Sequence, residues 1–165
     1  MLLLCGAAAV AQPPMRPDTA AQRDAMKKLD YLTGKWTGEA VLFRGPGQPE
    51  KLIQSEEVQS KLDGLLLLVE GTGRDATGKI VFRALATISY DDIAKKYFFR
   101  AYNDGRYLDT ELSVNENGWE WRQPAGPGSV RYTMRRNGNE WVETGEFTMG
   151  DAAPRKTIEM RVHKQ

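Results

Sequence analysis

The spacing of hydrophobic positions changes period once along this chain. Ala25, Leu29 and Leu32, with Met26 beside them, recur every three to four residues, the spacing of one helix face. The residues around them are good helix formers, Asp18 is suited to cap the first turn, and Gly34 supplies a stop. The pattern predicts one helix over 18–32. From Lys35 onward the apolar residues alternate. Trp36, Gly38, Ala40 and Leu42 share one face of a strand, and Phe82, Ala84, Ala86, Ile88 and Tyr90 share a face of another.

Applied to the rest of the chain, the same reading predicts strands over 35–43, 51–61, 65–73, 79–90, 95–103, 107–114, 119–122, 129–136, 140–149 and 156–164. Between them stand Asp63-Gly64, Asp104-Gly105, Asn117-Gly118 and Asn137-Gly138, pairs that supply the positive φ of tight hairpin turns. Short turns join only antiparallel neighbours, so the chain is all-β, an up-and-down antiparallel sheet. A sheet of about ten strands curls, and closing into a barrel removes its edges. Small residues mixed with aromatics on the inner face leave room for a cavity. The expected fold is an up-and-down β-barrel with one N-terminal helix plugging an end.

The first residues follow another rule. Leu2 to Val10 is apolar and uncharged, and Ala9-Val10-Ala11 has the small-x-small form of a signal-peptidase site. A basic n-region is missing, so the expected reading is a signal peptide over 1–11 whose true start lies upstream. Cys5 raises a lipoprotein alternative, but Leu4 is larger than a lipobox allows. Residues 12–17, with three prolines, read as an extended tether, and 18–165 as a single barrel domain. The expected location is the periplasm or the outside of the cell. The rest of the chain has no apolar run long enough for a transmembrane helix.

Composition narrows the function. Lys plus Arg total 23 and Asp plus Glu 22, a balance that argues against a nucleic-acid partner. One Cys and one His exclude a disulfide scaffold and any multi-histidine metal centre. There is no G-x-S-x-G, and the lone His163 lies near the C-terminus without an evident acidic partner, so no nucleophilic triad is legible. Glu56, Glu57, Glu70, Glu143, Glu146 and Glu159 fall on strands, and their separations are not readable from spacing.

Leu32-Thr33-Gly34-Lys35-Trp36-Thr37-Gly38-Glu39 carries a G-x-W directly after the helix. It resembles the start of the calycin superfamily, which includes lipocalins, fatty-acid-binding proteins and nitrobindins. The nearer resemblance is to a bacterial family known as domain of unknown function 1579. That likeness runs through Lys28-Leu29-Asp30-Tyr31, Ser55-Glu56-Glu57-Val58, Val69-Glu70-Gly71, Ile88-Ser89-Tyr90-Asp91, Tyr97-Phe98-Phe99-Arg100, Val130-Arg131-Tyr132-Thr133, Trp141 to Phe147 and Ile158-Glu159-Met160. The resemblance implies a lipocalin-like barrel and no particular activity. It also implies that Trp36 closes the barrel floor under Arg161, a structural cation–π pair. Nitrobindins hold haem through a His near the chain end, which makes His163 a haem-ligand candidate if Arg161 and its period-2 neighbours point inward. If Ile158, Met160 and Val162 point inward instead, His163 faces water, and the apolar set makes the more natural interior.

The aromatics are the better guide to binding. Trp119, Trp121 and Trp141, with the hydroxyls of Tyr90, Tyr102 and Tyr132, are candidate cavity walls and anchors, and Glu143 joins them. Arg100, on the same face as Tyr102, is placed to meet a ligand carboxylate. The leading expectation is a secreted or periplasmic barrel that holds a small amphipathic or apolar molecule and needs no cofactor. The alternatives are a calycin-type isomerase or cyclase using Glu and Tyr as acid–base groups, and a haem binder.

Overall fold

The computed structural model describes residues 16–45 and 47–165. The signal-peptide expectation and most of the tether lie outside the described residues. Helix α1 (Thr19–Met26) runs into a 3-10 turn (Lys27–Leu32). Ten strands follow: β1 (Gly34–Leu42), β2 (Glu50–Lys61), β3 (Leu66–Arg74), β4 (Ile80–Asp91) and β5 (Lys96–Asn103), then β6 (Arg106–Asn115), β7 (Gly118–Ala125), β8 (Gly128–Asn137), β9 (Glu140–Thr148) and β10 (Arg155–Lys164). Each pairs antiparallel with its neighbours in sequence, and β1 pairs with β10 to close the barrel.

The helix differs from the expected single α-helix in a way its side chains explain. Met26, Leu29 and Leu32 are buried and three residues apart. A 3-10 helix has three residues per turn and sets such a series in one line. Asp18 caps α1 as expected, its carboxylate accepting from the Ala21 amide at 3.0 Å. The segment is tied to one end of the barrel. The Trp36 indole donates to the Leu32 carbonyl at 2.7 Å, the Tyr97 hydroxyl to the Ala25 carbonyl at 2.7 Å, and the Gln22 amide to Asp92 at 2.6 Å. Leu29, Leu32, Ile88 and Val162 are fully buried there, so the packed core lies at the helix end.

Closure depends on one glycine. A Cβ on Gly38 would stand 2.1 Å from the Arg161 carbonyl oxygen, so β1 and β10 approach at that point only because the side chain is absent. The weakest seam is between β6 and β7, which pair only from Ser113↔Glu120 to Asn115↔Gly118. Strand β7 runs three residues beyond the expected end, to Ala125, and includes Pro124 opposite Ser129. A proline is tolerated there because it sits beside the terminal hairpin, where a lost ladder bond matters least.

Candidate functional site

Strand alternation sorts side chains in and out of the barrel, and the inner set does not fill it. A cavity of about 790 Å3 extends from the packed end toward the β1–β2 and β5–β6 connections. Its two walls differ. On β3, β4 and β5 small residues open the middle of the wall, where Gly71 pairs with Ala84 and Ala86 with Ala101, between Phe82, Val69, Ile88 and Phe99. On β7, β8 and β9 the inward residues are large. Trp121 stacks on Tyr132 with centroids 4.1 Å apart and leans on Phe99 at 4.7 Å. Trp141 meets Trp119 and Trp36 edge-on at 5.4 and 5.9 Å; Trp119 and Trp141 border the cavity and Trp36 packs beneath them.

Two carboxyl groups border this space. Glu56 on β2 is 8% exposed and accepts from the Gln54 side-chain amide at 2.7 Å. Glu143 on β9 accepts from the Trp141 indole at 3.2 Å, and the surface it retains borders the cavity. Burial pushes the Glu56 carboxyl up to about 8, against the Gln54 hydrogen bond and with help from the charge of Glu143. Burial likewise raises Glu143 to about 7, opposed by the Trp141 hydrogen bond. The Tyr132 phenol is driven to about 12, first by burial and then by Glu143. The basic residues bordering the cavity, Arg44 and Arg106, are at its mouth.

Of the residues singled out from sequence, Trp119, Trp121, Tyr132, Trp141 and Glu143 line this cavity. Tyr90 lies toward the helix end, edge-on to Tyr97 at 4.9 Å, and does not border it. Arg100 and Tyr102 need correction, because both point outward. Ala101 between them faces in, so the period-2 rule sends its neighbours out. Arg100 bonds Asp109 at 3.1 Å, and Tyr102 is 56% exposed beside Tyr107.

The Trp36–Arg161 pair is also corrected. Met160 and Val162 are buried inward, so Arg161 turns out to Glu140 at 2.8 Å, and the cation over Trp36 is Lys164 at 5.4 Å. The same register puts His163 outside, 3.8 Å from Glu140. The chain's one imidazole therefore does not reach the cavity, and the haem reading loses its expected ligand. Among the described residues no group of His, Cys, Asp and Glu is arranged to hold a metal ion, and no helix is long and apolar enough to cross a membrane.

Sequence reasoning left Gln54 and Glu56 out of the cavity. The signal was available, since Leu52, Gln54, Glu56 and Val58 alternate with Lys51, Ile53, Ser55 and Glu57. Two apolar residues bracket two polar ones on the inward phase. Ile53, 58% exposed on the opposite face, blurs that phase.

Comparison with solved structures finds the same barrel elsewhere. Rv2717c from M. tuberculosis superposes with a TM-score of 0.65 at 13% identity, over 86% of this chain and 97% of that one. An S-type phycobiliprotein lyase, CPES from Guillardia theta, gives 0.59 at 5% identity, over 86% and 92%. At such identities the likeness is one of fold. No curated protein matches the sequence. A family profile described as "Protein of unknown function (DUF1579)" matches residues 21–107, more than half of the chain. The chain therefore belongs to the DUF1579 family, whose fold in this member is a closed ten-strand barrel around a cavity.

Proposed function

We propose that this protein binds a small, largely apolar molecule with a polar group inside its barrel. The observation that carries the reading is the cavity. Its volume of about 790 Å3 falls within the range that takes drug-sized ligands, and aromatic walls with a few polar anchors are the usual lining of such sites. The fold shared with a phycobiliprotein lyase supports a barrel of this shape serving a small molecule. Native mass spectrometry of the purified protein, with tryptophan emission titrated against apolar alcohols, amines and acids, tests it. Saturable emission changes are expected, because a ligand replaces water around Trp119, Trp121 and Trp141. Unchanged emission across the panel, with no co-purifying mass, refutes it.

The same proposal puts the protein in the periplasm or outside the cell, supported by the apolar run and A-x-A site at residues 2–11. N-terminal sequencing of protein expressed with its upstream region is expected to start at Gln12. A product retaining Met1 to Ala11 refutes the export. A second reading, an isomerase or cyclase, is favoured by Glu143 beside Tyr132, with a carboxyl held near pH 7 where it can take or give a proton. Turnover of a bound apolar substrate, lost in Glu143→Gln, decides for it.

A further inference from the structure

Buried carboxyl groups are ordinarily matched to a cation supplied by the chain. Among the described residues none is supplied. The donors given to Glu56 and Glu143 are neutral, the Gln54 amide and the Trp141 indole. Each carboxyl uses one oxygen in this way, and among the described residues the other, Oε2 of Glu56 and Oε1 of Glu143, has no donor. Gln54 adds an independent observation. It is only 3% exposed and borders the cavity, yet its side-chain carbonyl oxygen also lacks a donor.

The unfilled hydrogen-bonding capacity at this end of the cavity is therefore dominated by acceptors. Among the described residues the one unused donor beside them is the second N–H of the Gln54 amide, while the Tyr132 and Thr157 hydroxyls can turn either way, the Thr157 hydroxyl being buried without a partner. Gly71 makes room for the arrangement, since a Cβ there would stand 3.0 Å from both Glu56 oxygens.

We infer that the cavity selects an organic cation: an apolar amine whose N–H groups reach the acceptors of Gln54, Glu56 and Glu143 while its hydrocarbon part lies between the aromatic and the small-residue walls. This rests on the ligand-binding reading above and specifies the charge of the ligand. At pH 7.5 Glu56, raised to about 8, keeps its proton while Glu143, raised to about 7, is ionised, which leaves a single negative charge that one ammonium balances. An anionic ligand has the opposite fit. Among the described residues that border the cavity, its basic partners would be Arg44 and Arg106 at the mouth, and Arg44 already lies 3.7 Å from Glu50.

Three probes of equal length separate the possibilities: decylamine, decan-1-ol and decanoate, titrated into the purified full-length protein at pH 7.5 by calorimetry and tryptophan emission. Decylamine is expected to bind at least tenfold more tightly than decanol, with decanoate weakest. Glu56→Gln and Glu143→Gln are each expected to reduce the amine's advantage over decanol at least fivefold. Unchanged far-ultraviolet circular dichroism of each variant shows that the barrel is intact. Decanol or decanoate binding as tightly as the amine overturns the inference and leaves ligand binding standing. So does an undiminished amine preference in the Glu56→Gln/Glu143→Gln double variant. Binding of none of the three overturns both.

Discussion

Replacing Glu56 by Gln should make the unliganded protein more stable, and more so as pH rises. The folded chain holds the Glu56 proton up to about pH 8, whereas an unfolded chain releases it near its ordinary value of 4.5. Between these values the folded state binds more protons than the unfolded one, so raising the pH favours unfolding. The stability associated with the protonated group is complete below about pH 4.5 and lost as pH passes through 8. Glu143, raised to about 7, acts in the same direction slightly earlier, and the two titrate as a pair.

A rise of this size corresponds to about 5 kcal/mol for a carboxylate left dry, and water entering through the mouth brings it to about 3 kcal/mol. For a domain of this length that is about 10 °C in Tm. Gln keeps the shape and the hydrogen-bonding reach of the protonated acid, so the variant isolates the ionisation. Thermal unfolding of both proteins from pH 5 to 9 is the assay. Near-coincident melting at pH 5 and a gap widening to about 10 °C by pH 9, with the variant the more stable, is expected. Half-buried carboxylates such as Asp75, Asp92 and Glu140, whose hydrogen bonds and neighbouring cations hold them below their ordinary value, shape the acid limb of both curves alike. Parallel curves, or a gap that opens toward acid, would refute the burial argument.

Other outcomes follow from the packing. Leu29→Ala, at a fully buried position where the helix segment plugs the barrel, should cost about 2–5 kcal/mol in urea unfolding. Gly38→Ala should prevent barrel closure, because its Cβ would fall 2.1 Å from the Arg161 carbonyl oxygen; a soluble variant melting like the parent counts against that. Arg100→Ala should change stability by less than about 1 kcal/mol and leave ligand titrations unmoved, since its ion pair with Asp109 is 43% and 48% exposed. Ala84→Leu should fill the space beside Gly71, raise stability by about 1–2 kcal/mol and abolish ligand binding; unaltered binding would show that the ligand lies elsewhere.

Strand boundaries were legible because each turn carries its own chemistry. Asp104 and Gly105, both at positive φ, make one hairpin turn through backbone conformation alone, while at Asn137-Gly138 only Gly138 takes positive φ and the turn falls one residue later, with Asn137 in the ladder opposite Glu140. Which face points inward is a different kind of information. On β4 the alternation of Phe82, Ala84, Ala86 and Ile88 already marks the inner face. On β5 both phases contain aromatics and polar groups: Tyr97, Phe99 and Ala101 against Phe98, Arg100 and Tyr102. A shift of one residue exchanges the two faces, and only pairing with β4, where Ala86 meets Ala101, decides between them. Arg100 and Tyr102 were misplaced for that reason. On β10 the inward series Ile158, Met160 and Val162 is the more apolar, and its phase alone puts Arg161 and His163 outside. The carboxyl pair required more still, because Glu56 and Glu143 lie 87 positions apart and share a cavity only once β1 has closed on β10.

The cavity's size bears on how its carboxyls are tolerated. A dry void costs about 24 cal/mol per Å3, so 790 Å3 left dry would forfeit about 19 kcal/mol, more than the whole stability of a typical domain. The space is therefore affordable only if it is solvated or occupied. Gln54, Glu56, Glu143 and Tyr132 give water the polar partners it needs below the mouth, and the open β1–β2 side gives it entry. The polar groups that make the interior tolerable when unliganded are thus the ones that select what replaces the water. A ligand gains by releasing water from the indole and alanine walls, but it must return the hydrogen bonds that water gave to the acceptors. A plain hydrocarbon returns none, and an alcohol one. An ammonium returns up to three and adds a charge opposite to that of the pair. Charge selection in this barrel follows from the cost of keeping a cavity that size in a folded chain.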